Sequence, residues 1–380
     1  MNEISNTIVK VKLRDSNLEL YRIIVMFMIV AHHYVVNSGL IDVMKDNPTS
    51  SNSIFFYLFG MWGKTGINCF VMITGYFMCK SNITIRKFLK LVLEVIFYNA
   101  IIYLFFVSFG KSVFSFKDTF LCFLPIKSIS VGFTSCFIAF YLAIPFLNIL
   151  VRNMTKRQHQ LLICLCLFIY TFIGMIPIFK LKMNYVSWFC VLYFIASYIR
   201  FYSNSNVNKT QKWEGYSILF IFLSLASVLM LLYISSLKDY LYNVYFFVSD
   251  TNKILALLTA VCTFMWFKNM KIKYSKWINT IASSMFGVLL IHANSDTMRH
   301  WLWKETLQNA NHYTDNHYIL YAVISVLTVF FICIIIDQIR IHTIEKYTFK
   351  QIDKILNKYS LNYDERKKYN RNVTITPQSR

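Results

Sequence analysis

The sequence predicts an all-α, polytopic transmembrane helical bundle of about ten spans with both termini cytoplasmic, and three observations carry that prediction. Of 380 residues, 56% are hydrophobic and 15% charged, with a mean hydropathy of +0.47, which does not describe a soluble core. The 35 Phe and 25 Tyr lie mainly in long apolar stretches interrupted by only ten Gly and five Pro, so helices rather than barrel strands are the expected spanning element. Lys and Arg, finally, are unevenly divided between alternate connections.

A bilayer core about 30 Å thick needs roughly 20 mostly apolar residues per helix. That window places spans at 20-38, 54-79, 88-109, 131-151, 160-180, 186-202, 215-236, 251-268, 280-297 and 318-340. The stretch 111-130, where Lys117, Asp118 and Pro125 interrupt Phe114, Phe116, Phe120 and Phe123, is expected along the surface. So is 298-308, with Trp301 and Trp303 beside Arg299 and Lys304. With the N-terminus inside, 27 Lys and Arg fall on the inner side and 11 on the outer, and Arg22 lies at the membrane edge, which accounts for all 39.

The chain divides into a membrane domain, 1-340, and a basic tail, 341-380. In the tail Lys346, Lys350, Lys354 and Lys358 alternate with Ile and Leu, a pattern that suits either an amphipathic helix on anionic lipid or a solvated charged segment. The first apolar stretch lacks a small-residue cleavage site, so it is expected to stay in the mature protein.

Composition also argues against several functions. A net charge of +21 is explained by topology rather than by a nucleic-acid partner, because no run of Lys and Arg alternates with aromatics on a soluble domain. The nine Cys lie mostly in apolar segments with no C-x-x-C pair, so no metal site is expected. No inverted repeat of the transporter kind is visible.

Ionisable groups inside a span are costly and mark function by default. The first span carries Glu19, Arg22, His32 and His33. At 100° per residue, the step from Arg22 to His33 returns to within about 20° of the same face, about 16 Å along the axis. Glu19 is three residues before Arg22, within pairing reach, and His32 points about 80° away from His33. Taken singly, such an Arg snorkels to lipid phosphate and such a His bonds a neighbouring helix; the combination on one face is what points to a site. In the second span, Asn68 and Tyr76 are candidate acceptor contacts, while Gly66, Thr74 and Gly75 read as close packing. Arg86, Lys87 and Lys90, at the inner entrance of the third span, suit the phosphates of a nucleotide-bearing donor and equally suit anchoring. At the outer end of the ninth span, His292, Asn294, Asp296 and Arg299 could hold an acceptor or form a wetted helix end.

At these segments the chain resembles the acyltransferase 3 family of integral membrane acyltransferases. N-L-E-L-Y-R-I-I-V-M-F-M-I-V-A-H-H-Y looks like its first helix, in which an Arg is followed after ten residues by a His, here Arg22 and His33. G-K-T-G-I-N-C-F-V-M-I-T-G-Y-F resembles the second-helix block, with Thr74 where Ser is commoner. F-Y-L-A-I-P-F-L-N at 140-148, L-Y-F-I-A-S-Y-I-R at 192-200 and F-G-V-L-L-I-H at 286-292 are similar to later blocks, so the resemblance runs from about 17 to 340. Two departures are the plainer Arg86-Lys87-Lys90 cluster where the family is often richer in Arg, and a tail too short for the hydrolase-like domain that many members append.

The resemblance implies a cytoplasmic acyl-CoA donor, usually acetyl-CoA, with no permanently bound cofactor, and a glycan or sugar hydroxyl as acceptor. It implies His33 as the group that takes the hydroxyl proton or forms an acyl intermediate, with Arg22 and Glu19 in support. The expected setting is a bacterial inner membrane, with membrane lipids as further partners and an oligomeric state that the sequence leaves open. A glycan transporter without acyl-transfer activity, or a non-catalytic scaffold, would share the spans and the basic inner face; loss of acyl transfer with His33 separates them.

Overall fold

The computed structural model describes residues 15–127, 132–176, 178–179, 183–203, 210–238, 243–356 and 358. Among them the chain is helical, with no strand. In order come α1 (Ser16–Val36), α2 (Leu40–Asp46), α3 (Ser51–Gly60), α4 (Gly63–Met78), α5 (Ile85–Ser108), α6 (Phe116–Cys122), α7 (Phe133–Asn153) and α8 (Lys156–Leu167), which runs on into a π-helical turn, Phe168–Ile173. Then follow α9 (Tyr185–Tyr202), α10 (Thr210–Lys238), α11 (Ile254–Asn269), α12 (Lys276–Ser283), α13 (Met285–His292), α14 (Asp296–His300) with a second π turn, Trp301–Thr306, and α15 (Tyr318–Arg340), whose helix continues through a third π turn to Leu356.

Six of these helices are long and apolar enough to cross a membrane: α1, α5, α7, α9, α10 and α15. Their outward faces are what lipid requires. Leu104 on α5, Phe146 and Ile149 on α7, Phe222 on α10 and Ile335 on α15 are all exposed, an arrangement that water would penalise. The window of α10 is 22% buried and that of α1 is 50% buried, so α10 lies on the rim and α1 is central. Indeed α1 packs on α3, α4, α11, α12, α13 and α15.

Several expected spans are not single helices. The segment 54-79 breaks between α3 and α4 at Met61 and Trp62, flanked by Gly60 and Gly63. The approach of α1 is so close there that a Cβ on Gly63 would fall on the His32 ring. His32 Nδ1–H donates to the Gly60 carbonyl at 2.6 Å, meeting the need of a helix-terminal carbonyl. The segment 280-297 breaks at Ser284 into α12 and α13, where Gln338 of α15 donates to Ser284 Oγ at 2.7 Å. The segment 160-180 passes from α-helix into a π turn.

Among the described residues of the stretch 111-130, the helix present is the short α6. The stretch 298-308 corrects its surface assignment: Trp303 is fully buried, its ring 5.9 Å from Tyr34 and 6.4 Å from His292. An indole of that size contributes more under the helix ends than on them. The tail beyond Leu356, apart from Lys358, lies outside the described residues.

Candidate active site

At the end of the bundle where α1 finishes, a cavity of about 640 Å³ opens between α1, α4, α5, α9 and the α13–α14 junction. His32 and His33 border it from α1, Lys64 from the first turn of α4, Asn99 from α5, Tyr185 from α9, and Asn294 and Arg299 from the far side. Lys127 and Ser135 reach it from the connection into α7 and its first turn. Apolar walls come from Ile29, Ile67, Phe70 and Leu289.

The central relationship is a pair of imidazoles. His33 Nδ1 lies 2.9 Å from His292 Nε2, and His292 Nδ1 lies 2.6 Å from the Val288 carbonyl one turn back on α13. A carbonyl only accepts, so His292 Nδ1 carries the hydrogen and donates it. In a neutral ring His292 Nε2 is then an acceptor, and His33 Nδ1–H donates to it. That leaves the lone pair of His33 on Nε2, which has no hydrogen-bond partner among the described residues. One backbone carbonyl thus sets the tautomer of both rings and leaves His33 with a basic nitrogen at a cavity wall. His292 itself is fully buried, with its ring edge-on to Trp303 at 6.4 Å.

Other cavity groups are tied at one end. Lys64 Nζ donates to Tyr185 Oη at 2.6 Å and lies 3.7 Å from Asp250 Oδ1. Asn294 donates to Asn99 Oδ1 at 3.2 Å, which sets α13 against α5. Arg299 is ion-paired with Asp296 of its own turn.

Of the residues singled out from sequence, His33, His292, Asn294 and Arg299 come together here. Asn68 does not border the cavity: its amide accepts from Trp188 Nε1 at 2.9 Å and donates to the Thr251 carbonyl at 2.7 Å, which locks α4 to α9 and to the segment before α11. Tyr76 lies at the opposite end of α4, where Arg200 Nη1 donates to its hydroxyl at 2.6 Å and the guanidinium stacks 4.4 Å from its ring. Glu19 and Arg22 pair at 3.7 Å near the start of α1, outside the cavity lining.

Arg86, Lys87 and Lys90 form a separate group at that same end. Arg86 donates to both carboxylate oxygens of Asp353 at 2.8 Å and 3.1 Å, Lys90 pairs with Glu345, and Lys87 donates to Ser81 Oγ at 2.6 Å. Arg86 and Lys90 border a second cavity of about 660 Å³, with His342, Lys346, Lys350, Glu345 and Asp353 supplying charge from the segment after α15. Beneath it Arg340 is buried among Glu94 at 3.0 Å, Asp337 at 2.8 Å and Glu345 at 2.9 Å, and Tyr98 donates to Asp337 at 2.7 Å. Only glycine fits at 287 of α13, because a Cβ there would run into the Asp337 carboxylate.

The sequence reading missed His32, Lys64, Asn99, Lys127 and Tyr185 as cavity residues. His32, set aside on helical angle, borders the cavity because the ring needs only to reach Gly60 across the α3–α4 break. Lys64 had a signal in hand, an ammonium within an expected span. Tyr185 and Lys127 carried none.

The motif blocks have mechanical roles around these sites. Asn148 accepts from Tyr193 Oη at 2.5 Å and donates to the Met78 and Ser81 carbonyls, joining three blocks at the end of α4. No curated protein and no solved structure matches the chain. The model of the acyltransferase 3 family, described as an acyltransferase domain, matches residues 15–338, nearly the whole span of α1 to α15, and the chain therefore belongs to that family of membrane acyltransferases.

Proposed function

We propose that the protein is a membrane O-acyltransferase that moves an acyl group, normally acetyl, from cytoplasmic acyl-CoA to a hydroxyl of a cell-surface or exported glycan. The observation that carries this reading is the free Nε2 of His33 at the cavity wall, with its tautomer fixed through His292 to the Val288 carbonyl. A thioester is already activated, so the reaction chiefly lacks a stronger nucleophile and a fixed geometry. On this reading the acceptor O–H gives its proton to His33 Nε2 as the oxygen attacks the thioester carbonyl carbon. The C–S bond breaks, the proton passes to the departing sulfur, and the products are an ester and free coenzyme A. The imidazole ends as it began.

The membrane setting completes the reading. Ten crossings follow if α3–α4, α8 with its π turn, α11 and α12–α13 each traverse once along with the six long helices; both termini then share one side, and the Lys and Arg division makes it the cytoplasm of a bacterial inner membrane. The His33 cavity faces outward to a glycan, and the Arg86, Lys87 and Lys90 group faces the cytoplasm, where coenzyme A phosphates arrive. Mass spectrometry of surface glycan from cells with and without the gene tests the reading. One acyl mass is expected to disappear with the gene and with His33→Ala; an unchanged glycan profile contradicts it.

A further inference from the structure

The cavity beside His33 holds more positive charge than its own carboxylates balance. Lys64, Lys127 and Arg299 border it, against Asp296. Counting also Asp250, which reaches Lys64 from outside the lining, three cations face two carboxylates among the described residues, an excess of one. Both carboxylates are open to water, although Asp296 pairs directly with Arg299. Asp250 stands 3.7 Å from Lys64 Nζ, beyond hydrogen-bond length, and the Asp296 side chain is 98% exposed, so water competes for it. The Lys64 ammonium has three N–H groups, of which one is used by the neutral Tyr185 hydroxyl.

Lys127, the cation of the three outside these two pairings, is exposed, and a cleft lined by one sign of charge concentrates the opposite sign. A neutral sugar would do nothing for it. Asn99, Ser135 and Asn294 at the same walls already provide uncharged partners for sugar hydroxyls.

We propose that the acceptor carries an anionic group, a phosphate or a carboxylate, which Lys64, Lys127 and Arg299 hold while one of its hydroxyls lies at His33; this rests on the acyl-transfer reading of the cavity. The site thereby selects charged glycans over neutral ones. It also fixes which hydroxyl meets His33, because the anion anchors one end of the acceptor and the imidazole waits at the other.

The test is binding to the purified full-length protein, measured by calorimetry with glycerol phosphate and glucuronate, with glycerol and glucose as neutral counterparts, and with acetyl-CoA in a separate arm. The anionic probes are expected to bind the wild type in preference to the neutral ones. Lys64→Gln, Arg299→Gln and Lys127→Gln are each expected to weaken the anionic probes about tenfold, the scale of one lost charge-assisted hydrogen bond. Lys111→Gln is the charge control. Lys111 lies outside the cavity and donates to Glu305 at 2.6 Å, holding that carboxyl below the usual carboxylate range, and its variant should bind normally.

Equal binding of charged and neutral probes overturns the proposal. So does a loss of acetyl-CoA affinity in these variants with glycerol phosphate unchanged, which would assign the cations to the donor. If Lys64→Gln fails to accumulate, the Arg299 and Lys127 variants carry the test. His33→Ala separates the two readings: normal anion binding together with undiminished acyl transfer removes His33 as the catalytic group and leaves the anion site, whereas absent anion preference removes the anionic acceptor alone.

Discussion

His33 and His292, 259 positions apart in sequence, meet nitrogen to nitrogen at 2.9 Å, and the hydrogen bond from His292 to the Val288 carbonyl decides which nitrogen of His33 is left basic. On the proposed mechanism His292 is a positioning residue. His292→Ala is expected to lower kcat about 10²-fold with KM little changed, because a misdirected base costs orientation rather than binding. His292→Gln keeps an acceptor for His33 and a donor for Val288 and should recover most of the loss. Equal damage from both substitutions would mean that the contact serves packing alone.

The proposed donor end makes a different prediction. Arg86 and Asp353 form an exposed bidentate pair that water and dissolved ions can compete for, so a coenzyme A phosphate can displace the carboxylate. Neutralising Arg86 and Lys87 together should weaken donor binding more than acceptor binding, while Asp353→Asn should tighten it severalfold. Unchanged acetyl-CoA affinity in both variants would assign these residues to anchoring.

Arg340 holds a buried acidic cluster together. Removing it leaves Glu94 and Asp337 buried without their cation, which typically costs about 3–5 kcal/mol. Arg340→Met should therefore lower the unfolding temperature in detergent markedly, and Gly287→Ala, which drives a methyl against Asp337, should destabilise by about 1–3 kcal/mol. Near-normal melting of Arg340→Met would show that the cluster contributes little.

Topology can be read independently. Reporter fusions at Arg380 and within the 39-52 connection should report opposite sides of the membrane, from the 27 to 11 division of Lys and Arg. The same side for both would contradict this map.

Much of this architecture was legible because lipid imposes one rule: a backbone with no water must bond to itself, so long apolar runs are helices. Helix breaks were less legible, since the apolar run across Gly60 and Gly63 is continuous in hydropathy and the interruption comes from the close approach of α1. The site was half legible. His33 stood out as an ionisable group in a span, and His292 as a polar one at a helix end, but their contact depends on α1 and α13 packing together, which no local pattern encodes. Asn68 showed the opposite failure: a buried amide looks functional in sequence until both of its hydrogen-bonding ends are found on Trp188 and Thr251.

The most direct measurement of the central claim compares acyl transfer by His33→Ala and His32→Ala at matched membrane levels. Loss of a general base typically removes about 10²- to 10⁴-fold in rate, so His33→Ala should fall by at least that lower figure while the protein still inserts. His32→Ala, which loses the bond to the Gly60 carbonyl, should lower activity only mildly through packing. Near-normal transfer by His33→Ala would contradict the account, most sharply if His32→Ala were inactive.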